Sequence, residues 1–362
     1  MLFSDKSRKT VKACRFCWMC RHLCPVGFAT GKESNGPRAK ALFIHLNEKG
    51  VDIEAEMAQD MYECVLCNAC AYNCETGYEP PVYIREARAN LIANGLVPTK
   101  VQTVIDCLFE NGNLYGVKAD DALKSLSVDT EADVLIYIGA TAAVKAQANV
   151  NALKSLLSKA GVAFKVFCGA EGSGSHEYDL LGDVQEVHDM CVACAGALNA
   201  ESAKKIIVLN PSDAVMFKQQ YPAWGIKINA EVITATAFVA ELVKSGVLEL
   251  EKDEGVVTYH DPCRLARDLE ETEPTRELIV AMGYELKDMV QSRKITKCCG
   301  GEVLKTHAPE IVAKMADNRV KDAASIGAKC LVTACPGCTA NLSATKTIDV
   351  KDIFVLLDEL TG

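Results

Sequence analysis

Past residue 130 the chain alternates short apolar runs with longer amphipathic ones. "DVLIYIG", "VAFKVF" and "KKIIVLN" read as buried strands, and "AQANVNALKSLLSKAG" as a helix between the first two. A second set repeats the pattern in "GVVTYHDPC", "TRELIVAMG", "HAPEIVAKMADNRVKDAASIG" and "KCLVTACPGC". Such alternation predicts α/β layers around mainly parallel sheets. The first hundred residues read differently. Pro37 suits the first turn of a helix that continues through "RAKALFIHLNEKG" and stops at Gly50, and "IEAEMAQDMYECV" suits a second. "VYIREARANLIANGL" and "VQTVIDCLFENG" are further helical stretches without a ligand pattern. No apolar run approaches the roughly eighteen residues of a membrane span, and the basic N-terminus lacks the apolar core of a secretory signal.

The two α/β sets align at near-constant offsets. Ala140 falls on Cys263, offset by 123; Phe167, Cys168 and Glu171 fall on Cys298, Cys299 and Glu302, offset by 131; Asn210 and Asp213 fall on Cys335 and Cys338, offset by 125. A unit of about 120 residues is therefore duplicated, a period far longer than that of solenoid repeats. The expected parts are 1–100, a helical connector 101–130, a first α/β unit 131–250 and a second 251–362. Cys107, among apolar neighbours in the connector, reads as a buried structural thiol.

Cysteine usage adds the chemistry. The 362 residues hold 18 cysteines within a chain that is 49% hydrophobic and 24% charged, so a sizeable core can form without covalent staples. The thiols then read as ligands kept free in a reducing compartment, and the chain as cytoplasmic. The runs Cys14-x2-Cys17-x2-Cys20-x3-Cys24 and Cys64-x2-Cys67-x2-Cys70-x3-Cys74 share one spacing. Disulfides and zinc are the alternatives, but structural zinc takes two pairs of ligands about one tetrahedral ion and fits two such quartets badly. The spacing is that of bacterial ferredoxins, where three close thiolates hold one [4Fe-4S] cube and the fourth reaches the other. Cys14, Cys17, Cys20 and Cys74 are thus assigned to one cluster, and Cys64, Cys67, Cys70 and Cys24 to the other.

Charge is uneven. Residues 1–40 carry nine Lys or Arg against Asp5 and Glu33, within a chain whose formal charge is −9. The acidic remainder argues against nucleic acid, as does the expected lack of aromatics interleaved with the charges. Guidance of an acidic redox partner and a plain solvated face remain open readings of the segment.

The long helical insert between the two runs resembles the two-cluster domain of the iron-sulfur subunits of glycolate oxidase, heterodisulfide reductase and succinate dehydrogenase-type enzymes. "YHDPCRLARDL", "KCCGGE" and "LVTACPGC" resemble the signatures of the cysteine-rich CCG domain of heterodisulfide reductases and of glycolate, lactate and glycerol-3-phosphate dehydrogenases. The resemblance implies a non-cubane [4Fe-4S] cluster on Cys263, Cys298, Cys299, Cys335 and Cys338, with Gly300 and Gly301 approaching it through their backbone. His260 and Asp261 precede the first of these cysteines and read either as support for the site or as strand-end hydrogen bonds. The first unit retains only Cys168 of the five, so its CCG site is degenerate; Cys168 with Cys191 and Cys194, and His176 or His188, forms a further candidate metal site.

No GxGxxG follows a strand and no P-loop is present, so FAD or FMN belongs to a partner subunit. The expectation is an electron-transfer subunit of a multi-subunit flavin-dependent oxidoreductase of anaerobic metabolism. It would carry two cubanes and one non-cubane cluster and work with a flavoprotein subunit, ferredoxin or another redox carrier. The alternative is a catalytic subunit reducing a disulfide at the CCG cluster; whether this chain catalyses alone is left open.

Overall fold

The computed structural model describes residues 3–52, 55–118, 123–128, 130–169 and 172–362. Glu171, the expected counterpart of Glu302, lies outside them, as do the first residues of the helix expected from Ile53. The N-terminal region is helical, with helices Asp5–Ala13, Pro37–Glu48, Ala55–Tyr62, Pro80–Ala93 and Thr99–Asn111 around the two cysteine runs. Pro37 opens its helix at the first turn, where a missing N–H costs nothing, and the chain turns at Gly50 with φ +88°.

The remainder forms two lobes, each with a four-stranded, wholly parallel sheet. Strands β1 (Val134–Tyr137), β2 (Phe164–Val166), β3 (Lys205–Val208) and β4 (Glu231–Thr234) lie in the order β2-β1-β3-β4. Strands β5 (Val256–His260), β6 (Glu285–Leu286), β7 (Cys330–Thr333) and β8 (Asp349–Asp352) repeat that order as β6-β5-β7-β8. The central strands carry Leu135, Ile136, Ile206, Ile207, Leu331 and Val332 without exposure, as strands covered on both faces require.

Three packings set the parts against one another. Helix Thr99–Asn111, expected as a connector, places Val101, Val104, Ile105 and Leu108 in one apolar cluster with the N-terminal helices and one face of the first lobe. Its Cys107 is only half-buried, with the thiol on Asn113 O at 3.8 Å. The lobes join through helix Gln147–Lys159 against helix Ile353–Glu359, where Asn149 donates to Asp352 at 2.7 Å. Finally, Val26 and Ala29 of helix Pro25–Thr30 pack on Ile311, Val312 and Met315 of helix Pro309–Ser325. That contact brings the second cysteine run to the second lobe. Among the described residues no helix is long and apolar enough to cross a membrane.

Candidate metal centres

The two cysteine loops share an unusual backbone. Phe16 and Trp18 in the first, and Leu66 and Asn68 in the second, occupy the same two positions and all have positive φ, between 49° and 67°. Non-glycine residues avoid this region. Two such residues per loop curl the chain tightly between successive cysteines.

Cys14 and Cys20 both lie within electrostatic reach of Cys17 and Cys74, and Cys24 and Cys70 both within reach of Cys64 and Cys67; Cys70 also feels Cys20, so the two groups adjoin. Burial, reinforced by neighbouring thiols, pushes Cys20 up to about 11, and burial pushes Cys24 up to about 12. Thiols gathered in this way cannot ionise together unless a cation offsets their charge. Buried Lys40, whose Nζ donates to Asn35 O at 3.0 Å, supplies part of it beside Cys24.

The first loop is the outer one. Cys17 is exposed, as are Phe16, Trp18 and Met19 at 46, 40 and 66%. Contrary to the expectation that no aromatic interleaves the basic residues, Trp18 lies 3.4 Å under the Arg38 guanidinium and 5.3 Å from that of Arg21.

The second loop is buried against the second lobe. Cys67 and Cys298 share one apolar cluster with Val312, and Arg267 Nε donates to Cys67 O at 2.6 Å. Beyond it opens a cleft walled by Cys263, Cys298, Cys299, Cys335 and Cys338. Within the five, Cys263 and Cys298 are 3.8 Å apart and Cys299 and Cys338 3.2 Å.

Local structure positions each thiol. Cys263 follows β5, and Cys335 and Cys338 begin the helix Pro336–Ser343 after β7. Cys298 and Cys299 sit on the loop that Gly300 turns at φ +119°, where a Cβ would come within 2.5 Å of Val312. Only glycine fits there.

Buried donors face the thiols. Arg267 Nη2 and His260 Nε2 are buried without a hydrogen-bond partner, which buried polar groups rarely tolerate. His260 groups with Cys299 and Cys338, their ligand atoms within 4.8 Å of one another. Burial tends to lower Arg267, but Cys67, Cys263 and Cys298 outweigh it and hold the guanidinium charged. Thiols with cationic and N–H donors aimed among them suit an electron-rich iron-sulfur group. Asp261 does not join them: Arg276 clamps it with bonds of 2.6 and 3.0 Å, and Arg293 N donates to it.

The first lobe holds a polar network at the corresponding place. Asp213 accepts from Ser173 and Ser175 at 2.6 and 2.7 Å, and Asn210 caps its helix and reaches Glu302. Cys168 is not brought to Cys191 and Cys194. Its thiol meets Leu123 O on one side of the sheet, whereas Cys191 meets Ser173 O in the cluster on the other. The candidate histidines are engaged as well. His188 pairs with Asp183 at 2.6 Å, and His176 pairs with Glu302 at 2.7 Å across the lobes, on the wall of the cleft. Burial works against a charged His176, but Glu302 outweighs it and raises it to about 9.

Comparison with known proteins agrees with these parts. The 4Fe-4S dicluster domain matches residues 10–78, and the CCG cysteine-rich domain residues 257–343. Over 384 residues the chain is 28% identical to a subunit of the dihydromethanophenazine:CoB–CoM heterodisulfide reductase of Methanosarcina acetivorans, covering 97% of this chain and 94% of that one. The chain carries the domains of an iron-sulfur oxidoreductase subunit and is similar over nearly its whole length to heterodisulfide reductase subunits. It is also 25% identical to the EtfAB:quinone oxidoreductase of Syntrophomonas wolfei, over 97% of this chain and 59% of that protein. A crystal structure of a hypothetical protein from Helicobacter pylori shares the fold, with a TM-score of 0.54 and 11% identity over 98% of this chain and 73% of the other.

Proposed function

We propose that the chain is the electron-transfer subunit of a multi-subunit flavin-dependent oxidoreductase. In this reading Cys14, Cys17, Cys20 and Cys74 hold one cubane, and Cys64, Cys67, Cys70 and Cys24 the other. Cys263, Cys298, Cys299, Cys335 and Cys338 hold the non-cubane cluster, approached by the backbone of Gly300 and Gly301. The parts are the two-cluster domain 1–100, the connector 101–130, the degenerate CCG unit 131–250 and the complete one 251–362. Bound there, the clusters supply one-electron redox steps at potentials set by charge and hydrogen bonding.

The observation that carries the reading is the packing of the inner cysteine loop against the CCG cleft: Cys67 shares an apolar cluster with Cys298, and Cys64, Val65 and Leu66 line the cleft itself. The outer loop is exposed to a partner while the inner loop lies at the cleft, the order from surface to cleft that an electron path requires. A flavoprotein, or a ferredoxin-like carrier, would meet the outer loop.

A second reading, reduction of a disulfide in the cleft, is favoured by one feature: the His176–Glu302 pair on the cleft wall holds a proton within a solvent-shielded site. Iron analysis of anaerobically purified protein tests the cluster assignment. About twelve iron atoms per chain are expected, and about eight would remove the CCG cluster. Turnover of a disulfide by the isolated chain with an artificial donor would decide for the second reading; reduction of the clusters without turnover decides for the first.

A further inference from the structure

The tautomer of His260 is fixed by a residue 59 positions away. Arg319, on helix Pro309–Ser325 and wholly buried, donates from Nε to His260 Nδ1 at 3.1 Å, and its Nη2 donates to Thr296 Oγ1 at 3.2 Å. A guanidinium has donors only. His260 Nδ1 must therefore be the acceptor, and the proton of the neutral ring must sit on Nε2. Among the described residues that nitrogen is buried without a hydrogen-bond partner, and the ring lies beside Cys299 and Cys338, with one of its nitrogens within 4.8 Å of their sulfurs.

We propose that Arg319 is a positioning residue that locks His260 as an N–H donor to the sulfurs held by Cys299 and Cys338, and so raises the reduction potential of the CCG cluster. The inference rests on the cluster reading above. It also separates two roles that proximity alone would confuse. A histidine that binds iron through Nε2 needs its proton on Nδ1, and Arg319 occupies that position with a donor of its own. Ligation would require an imidazolate. His260 is thus a donor to the group and not one of its ligands. A hydrogen bond to sulfur favours the reduced cluster, because reduction adds negative charge to the acceptor.

Arg319→Met and His260→Leu test this by redox titration of the CCG signal in the whole chain, with the two cubane signals as internal controls for folding. Each variant is expected to lower the equilibrium constant for one-electron reduction of that cluster about tenfold, about 59 mV. Iron should stay near the three-cluster value of about twelve. Arg319→Met should add nothing in the His260→Leu background, since it acts through the ring. His260→Gln and Arg319→Lys, which keep an N–H donor in reach, should restore most of the potential.

Two results would overturn the proposal: loss of the CCG iron in both His260→Leu and His260→Gln, which would make His260 a ligand, or a full further shift from Arg319→Met in the double variant, which would make Arg319 a simple charge. A parent protein with about eight irons and no third signal would instead refute the cluster reading itself.

Discussion

Asp213 stands at the position that Cys338 occupies in the second lobe, and its buried carboxylate accepts from Ser173 and Ser175. Burial raises its pKa to about 6, against which the two serines work. A carboxyl raised in this way binds its proton more tightly in the folded chain. It therefore costs stability above about pH 6, and the cost fades as the pH falls toward the unfolded value of about 3.9. Asp213→Asn keeps the acceptor for both serines and removes the charge. The variant should unfold at a higher temperature at pH 7, by about 1–2 kcal/mol, with less gain at pH 5; an unchanged or lower midpoint at pH 7 would refute the argument. Substitutions such as Asn210 and Asp213 for cysteines were readable from the offsets between the two units. The Arg319–His260 and Arg276–Asp261 bonds were not, because nothing in residue type or spacing marks which distant arginine meets which side chain.

Between elements, Asp179 is the main electrostatic joint. It lies on helix Ser175–Leu181 of the first lobe and meets Arg85 of helix Pro80–Ala93 at 2.8 Å and Arg264 of the second lobe, while its backbone carbonyl accepts from Arg88. Burial tends to raise its carboxyl, but Arg264 and Arg85 outweigh that and hold it below the usual range. Its stabilisation is present above the unfolded carboxylate pKa and is lost as pH falls through the lower folded value. Asp179→Asn leaves two guanidiniums facing each other across the joint, and a loss of about 3 kcal/mol is expected, read as a lower thermal midpoint at neutral pH that converges on the parent in acid. The long elements at this scale were legible from periodicity, including helices Pro37–Glu48 and Pro309–Ser325 and the central strands. Three of the four edge strands were not: Glu231–Thr234, Glu285–Leu286 and Asp349–Asp352 are short and carry charged residues, which blunts the apolar signal, whereas Phe164–Val166 was read from its apolar run. The positive-φ residues of the cysteine loops were equally silent, since Phe, Trp and Leu are not residues that announce a left-handed turn.

At the scale of the whole molecule, the outer loop lies in a basic stretch of the chain. Lys6, Lys9, Lys12, Arg15, Arg21 and Lys32 are exposed in the residues before, within and after it, as are Phe16, Trp18 and Met19, on a chain of net charge −9. If an acidic carrier delivers electrons there, the second-order rate of cluster reduction should fall steeply between about 0.05 and 0.3 M salt, where screening shortens the reach of surface charge. Arg15→Glu with Arg21→Glu should flatten that dependence while leaving the cluster potentials alone. A rate indifferent to salt in the parent would remove steering from the account. The order of the two loops could not have been read from the cysteine spacing, which assigns partners but not which loop faces outward.

The matched CCG segment, residues 257–343, contains all five thiols but not the whole of their enclosure. Val65 and Leu66 of the inner loop, Arg88, and His176, Asp179 and Ser212 of the first lobe complete the walls of the same cleft. A fragment trimmed to the matched segment would keep every candidate ligand and lose the walls that the other two parts supply, leaving the thiols open to oxygen and to scrambling. Modularity in the sequence is therefore not modularity in the chemistry: the smallest separable unit that can shelter this centre is close to the full chain.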